Sequence, residues 1–314
     1  MSLVEQAAKR LEQLRRAGVE LPEEAPLAEP TIRRAPALAP RNGAGAEAAS
    51  IAPPSIAPER RKTAALKPKR VKLDLQAISA SGLLVPQASR SRLADEFRVI
   101  KRPLIANAMG RNNEPIANGN LIMVTSAMPG EGKSFTAINL AISIAMELDN
   151  TVVLVDADVA RPSVLNMLGM PPAPGLLDVV SKNSLDITGV LLRTNIEKLS
   201  ILPSGTQHPR ATELLASDAM TRLLDDMARR YDDRIIIFDS PPLLLTTEAR
   251  ELATHMGQIV IVVHAESTTQ ATVKQAVDTI AACPVKMMVL NQTRQTPSDA
   301  YGYGYGYGYG HEKE

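Results

Sequence analysis

Six short apolar runs punctuate the middle of the chain: LIMVTS (121–126), TVVLVD (151–156), KLSILP (198–203), RIIIFDS (234–240), QIVIVVHA (258–265) and VKMMVLN (285–291). They are rich in Val, Ile and Leu and nearly continuous rather than alternating, which is how strands covered on both faces read. Helical patterns separate them. That alternation predicts an α/β layer fold over residues 85–295, with a mostly parallel central sheet and helices on both faces. Near the start, Val4, Ala7, Ala8, Leu11 and Leu14 recur at helical spacing with Arg and Lys opposite, predicting a short amphipathic helix over residues 1–18. Helices below ~12–15 residues barely hold alone in water, so the pattern fits a fraying helix or a docking helix equally well.

Residues 19–84 predict a disordered linker. Glu20 to Arg60 holds eight prolines and eleven alanines and no aromatic residue, too little apolar surface to offset the entropy of ordering. A basic run follows, from Arg60 through Arg61, Lys62, Lys67, Lys69 and Arg70 to Lys72; a solvated linker explains it better than an anionic contact. After Gln295 the chain turns polar and ends in YGYGYGYGYGHEKE, so 296–314 predicts a flexible tail.

Composition narrows the classes. The chain has 314 residues, 45% of them hydrophobic, and a formal net charge of +1, which gives no global pull toward nucleic acid or membrane. A single cysteine, Cys283, excludes an internal disulfide framework and a Cys-cluster metal site and fits a reducing cytoplasm. The charged N-terminus lacks the apolar segment of a secretory signal, and no run approaches the ~18 residues of a membrane span. The expectation is a cytoplasmic protein without a direct span, recruited to the inner face of the plasma membrane by a partner.

The candidate chemistry begins after the first apolar run. Ala127-Met-Pro-Gly-Glu-Gly-Lys133-Ser134 is a P-loop with Ala127 in place of the first glycine, set between a predicted strand and the helical FTAINLAISIAME. Glycines at 130 and 132 let backbone N–H groups curl around phosphate, and the following helix adds its dipole. Pro129, Gly130, Glu131, Gly132, Lys133, Ser134 and Phe135 are the expected nucleotide-binding stretch. Lys133 is placed to reach the β- and γ-phosphates, and the Ser134 hydroxyl to ligate Mg²⁺. The fold class is then a P-loop NTPase with ATP and Mg²⁺ as cofactors. Two further apolar runs end in acid: Asp156-Ala-Asp158 with Arg161-Pro162, and Asp239 with Ser240-Pro241-Pro242. Carboxylates at the C-terminal ends of parallel strands line the ligand crevice. Any one alone reads as a helix N-cap; three together read as metal-organising acids, Asp239 being the natural Walker B residue.

These residues carry a resemblance. The loop PGEGKS (129–134), Asp156-x-Asp158 with Arg161-Pro162, and Asp239-Ser-Pro-Pro resemble the Walker motifs of the bacterial tyrosine kinases over residues 90–310. SLVEQAAKRLEQLRRAG and EFRVIKRPL look most like the tyrosine autokinases associated with exosortase (XrtA) and exopolysaccharide gene clusters. The resemblance implies an ATP-dependent tyrosine autokinase with Lys133, Asp156 and Asp158 in catalysis, Asp156 taking or orienting the tyrosine proton, and Ser134, Asp158 and Asp239 at the metal. It implies that Asn291 hydrogen-bonds adenine, and that Asp95, Arg98 and Lys101, at i, i+3, i+6, form an oligomerisation motif. It implies regulation of exopolysaccharide chain length or export through a phosphorylation-sensitive ring-like homo-oligomer and a membrane chain-length or co-polymerase partner. Two departures stand out: His264 where many relatives have Arg, and SGTQHPRATELL after Pro203, a loose match to the family's signature there.

A ParA/MinD-type ATPase is the strongest competitor, but its signature lysine, five residues before the P-loop lysine, is Met128 here. A non-catalytic ATP-sensing scaffold of an export complex stays open. The tail favours the kinase: Tyr301, Tyr303, Tyr305, Tyr307 and Tyr309 are five of the six tyrosines in the chain. Alternating glycine keeps them flexible, although such a repeat alone can be inert. From Thr296 to Tyr309 the extended chain spans on the order of 40 Å, enough to reach a neighbouring subunit. Five phosphotyrosines would add about −8 to −10 charges opposite an acid-rich site, and the repulsion would loosen the assembly.

Overall fold

The computed structural model describes residues 68–111, 114–181, 185–230 and 233–294. The chain divides into two units, Met1–Arg60 and Arg61–Glu314, and every described residue belongs to the second. The predicted helix at 1–18, most of the linker and the tail from 296 lie outside the described residues.

Eight strands form one sheet: β1 (Lys69–Arg70), β2 (Leu121–Ser126), β3 (Thr151–Asp156), β4 (Leu192–Arg193), β5 (Leu199–Leu202), β6 (Arg234–Asp239), β7 (Gln258–His264) and β8 (Val285–Asn291). Their order is β1-β4-β5-β3-β6-β2-β7-β8. All neighbours pair in parallel except β4 with β5. Every residue of β2 is buried, as a central strand covered on both faces requires.

The two faces build two cores. Ile122, Val124, Leu154 and Ile237 face one, with α2 (Arg92–Ala108) and α3 (Lys133–Ala145). Met123, Val155, Phe238 and Ile261 face the other, with α5 (Leu176–Ser181), α8 (Asp218–Arg229), α9 (Thr247–Ala253) and α10 (Gln270–Asp278). The remaining helices are short: α1 (Leu75–Ala80), α4 (Val164–Met167), α6 (Ile187–Val190) and α7 (Ala211–Leu215). Local chemistry sets several starts: the Ser91, Ser217 and Thr269 hydroxyls accept from the N–H groups of Ala94, Met220 and Thr272 and so cap α2, α8 and α10.

The fold begins earlier than the sequence pattern suggests, so the linker boundary at residue 84 is corrected. β1 pairs with β4, and Leu73, Ile78, Leu83 and Leu84 are buried. Asn195 fastens the segment by accepting from the Leu73 N–H (2.7 Å) and donating to the Leu73 carbonyl (3.1 Å). Asn139 of α3 accepts from the Leu84 N–H at 2.6 Å. These apolar residues follow the basic run and sit among small and polar residues (LDLQAISASGLL, 73–84). Their partners lie 55 to 122 residues away.

The expected oligomerisation triad is also divided. Asp95 and Arg98 form an exposed ion pair on α2. Lys101 is only 5% exposed and points inward, where its ammonium meets Glu147 at 2.7 Å and the Ser143 carbonyl at 2.6 Å. At ~100° per residue, a step of six turns Lys101 about 120° away from Asp95, into the groove against α3. Lys101 is thus a clamp inside one subunit rather than a surface charge.

Candidate active site

The parallel strands all end on one side, and register decides which acids meet there. Asp156 and Asp239 are directly paired at the ends of β3 and β6, and β6 lies beside β2, which feeds the P-loop. The loop turns through two left-handed glycines, Gly130 (φ 83°) and Gly132 (φ 93°), conformations that a side chain resists. Gly132 immediately precedes α3, so the N-terminus of a thirteen-residue helix faces the site.

Lys133 sets its ammonium 2.9 Å from Asp158, whose other oxygen accepts from the Arg161 N–H at 3.1 Å. Asp156 is 1% exposed, and one of its oxygens accepts from the Ser163 and Val164 N–H groups at 3.1 and 3.0 Å. Its other oxygen is buried without a hydrogen bond. Asp239 is completely buried, and neither of its oxygens has a partner in hydrogen-bond geometry. Burial pushes the Asp239 carboxyl up to about 7; the Lys133 charge and the nearby Ser134 hydroxyl oppose that, while Asp156 and Asp158 add to it. Burial likewise lifts Asp156 to about 6, against the N–H groups that hold it and with the neighbouring Asp158 charge.

Buried carboxylate oxygens without partners are expensive, and three of them lie at the paired ends of β3 and β6, where Asp239 feels the P-loop lysine and serine. This donor set fits a hard divalent cation. Among the described residues no group of three His, Cys, Asp or Glu closes into an all-protein cage. Mg²⁺ does not require one, since it takes one or two protein ligands and fills its octahedron with phosphate and water.

Three expected nucleotide contacts are refined by the structure. The Glu131 carboxylate is 2% exposed and accepts from the Met128 N–H (2.6 Å) and the Thr268 hydroxyl, so its side chain braces the loop instead of facing phosphate. The half-buried Phe135 ring packs against the core on the α3 face of the sheet. The Asn291 amide donates 2.9 Å to the Glu131 carbonyl, which sets this residue against the loop.

Ser163, Thr268 and Gln292 were missed. The Ser163 hydroxyl lies 2.8 Å from that of Ser134, and the Gln292 amide donates 3.0 Å to the Gly130 carbonyl. Ser163 had a local signal, since it directly follows Arg161-Pro162. Thr268 and Gln292 had none. His264 ends β7 in register with Asn291.

Fold and site together define a P-loop nucleotide-binding α/β protein. Residues 119–292 match the family described as "AAA domain". The chain is 34% identical over 215 residues to the tyrosine-protein kinase YwqD of Bacillus subtilis (strain 168), covering 68% of this chain and 86% of that protein. It is 27% identical over 223 residues to the putative tyrosine-protein kinase CapB of Staphylococcus aureus, covering 70% and 93%. Against the tyrosine-protein kinase wzc of Salmonella typhimurium, the match is 30% over 146 residues, 46% of this chain and only 20% of that protein. Among solved structures, the chimerical protein CapA2B2 superposes with a TM-score of 0.57 at 27% identity, covering 73% of this chain and 95% of that one. The kinase domain of the Escherichia coli tyrosine kinase ETK gives 0.56 at 25%, covering 67% and 80%. The chain therefore belongs to the bacterial tyrosine-protein kinases and is an enzyme of that class. No helix among the described residues is long and apolar enough to cross a membrane.

Proposed function

We propose that this kinase uses Mg²⁺ and ATP to phosphorylate its own C-terminal tyrosines, Tyr301, Tyr303, Tyr305, Tyr307 and Tyr309, in trans within a homo-oligomer. The observation that carries the metal-nucleotide reading is the buried pair Asp156 and Asp239, side by side at the ends of β3 and β6 with three unpartnered oxygens, Asp239 within reach of the Lys133 charge and the Ser134 hydroxyl. Ser134, Asp158 and Asp239 would hold Mg²⁺ directly or through water, and the ion would neutralise phosphate charge. Lys133, now paired with Asp158, is the cation that transfers to the phosphates as nucleotide enters. The Gly130 and Gly132 amides cradle the phosphate chain. Asp156 has a raised affinity for a proton and one free oxygen, which suits it to accept or orient the tyrosine hydroxyl proton.

The family's membership supports the reaction type, and the tyrosine row supplies acceptors on a flexible chain. Accumulating negative charge on the tail expels it from the acidic site and weakens the oligomer. Asp95 and Arg98, exposed on α2, remain the residues offered to a neighbouring subunit. The resemblance to exopolysaccharide-associated autokinases supports a role in chain length or export with a membrane co-polymerase partner. Incubating the purified chain with Mg²⁺ and ATP and mapping phosphosites by mass spectrometry tests this, with Lys133→Met as control. Tail phosphate in the wild type alone is expected. ATP hydrolysis with an unmodified tail would overturn it.

A further inference from the structure

Three contacts reach the P-loop from the connection between β7 and α10 and from the end of β8. The Thr268 hydroxyl donates to the Glu131 carboxylate, the Asn291 amide donates to the Glu131 carbonyl at 2.9 Å, and the Gln292 amide donates to the Gly130 carbonyl at 3.0 Å. Two of the three are held in turn. The Thr268 N–H donates to the His264 carbonyl at 3.0 Å, and the Asn291 carbonyl accepts from the Ala265 N–H at 2.9 Å. The approach is close: a Cβ on Gly132 would lie 2.1 Å from the Asn291 amide nitrogen, so a side chain there would displace that amide from the Glu131 carbonyl, and the φ of 93° favours glycine as well. Gln292 itself has a φ of 58°, unusual for a side-chain-bearing residue, and this strain falls where its amide enters the loop.

A phosphate-binding loop presents its N–H groups on one side and its carbonyls on the other. Tying the carbonyls of Gly130 and Glu131 fixes their peptide planes, and so keeps the N–H groups aimed at phosphate before nucleotide arrives. We propose that Thr268, Asn291 and Gln292 are positioning residues that preorganise the P-loop for the nucleotide phosphates, acting through Glu131 and Gly130. The inference rests on the reading of this loop as the nucleotide site.

Gln292→Gly separates positioning from mere stability. Glycine removes the amide and also relieves the positive φ, so the nucleotide-free melting temperature holds or rises while affinity for a fluorescent ADP analogue with Mg²⁺ weakens about threefold to tenfold. Thr268→Val strips one donor from a buried carboxylate and weakens that affinity about tenfold, and Thr268→Ser returns it to within about twofold of wild type. The brace is wrong if Gln292→Gly and Thr268→Val both bind within about twofold of wild type, or if Gln292→Gly loses affinity and melting temperature together. A wild type that binds no nucleotide would sink the nucleotide-site reading as well, whereas a binding wild type matched by both variants sinks only the brace.

Discussion

Glu131 and Asp239 are both almost entirely buried carboxylates beside the same phosphate loop, yet their surroundings are opposite. Glu131 accepts from the Met128 N–H and the Thr268 hydroxyl. Asp239 has no partner in hydrogen-bond geometry for either oxygen. A satisfied buried acid is scaffold, because its desolvation is already compensated. An unsatisfied one costs stability that only a ligand repays. The difference separates what shapes the loop from what acts through it.

The largest effect comes from removing the cation that answers the acids. Lys133→Met is expected to lower tyrosine phosphorylation by about 10³-fold, read by phosphate incorporation from labelled ATP, through loss of charge stabilisation at the phosphates. Next, the two acids are set against each other. Asp239→Asn should cut activity about 10²-fold or more yet raise the nucleotide-free melting temperature at pH 8, where the buried carboxyl must ionise. Glu131→Gln should lower that temperature, because an amide cannot accept at both positions and the loss is about 1–3 kcal/mol. If both variants shift melting in the same direction, the contrast between the two acids is lost.

The comparison extends to pH. Asp156 and Asp239, raised to about 6 and about 7, keep protons in the folded chain that the unfolded chain releases near ~4. Stability from these groups is therefore fully present below about pH 4 and lost as pH rises toward 7. Thermal melts of the nucleotide-free protein should show a falling midpoint between pH 5 and 8, and Asp239→Asn should flatten that slope. Mg²⁺ needs ionised carboxylates and should stabilise more at pH 8 than at pH 5.

The smallest expected effect lies on α2. Lys101→Met should cost about 1 kcal/mol, shifting the melting midpoint about 2–4 °C, because Glu147 is half-exposed and can return to water. Arg98→Glu should leave melting nearly unchanged and alter the sedimentation profile instead, since its ion pair with Asp95 is exposed. Equal thermal effects from both would erase the division between inward and outward charges on this helix.

The phosphate chemistry was legible in the chain because its parts are local. The glycines, Lys133 and Ser134 occupy one eight-residue stretch, and Asp156 and Asp239 each end an apolar run whose own composition announces a strand. The six long strands and their parallel arrangement came from the same runs. The missed parts share another character. The Leu73 and Leu84 N–H groups find Asn195 and Asn139, and Thr268 finds Glu131 across 137 positions. Spacing along a chain contains no record of such pairs.

By itself, the sequence determined the sheet-forming runs, the phosphate loop, the acids at the strand ends and the tyrosine row, because each depends on residue type at short range. Only the tertiary structure decided that Asp156 and Asp239 stand side by side, since β3–β6 register sets that meeting. It also turned Lys101 inward, drew residues 69–84 into the fold and assigned Glu131 to the scaffold. In each case the deciding quantity is whether a buried polar or apolar group finds a distant partner, and that partner exists only once the sheet has assembled.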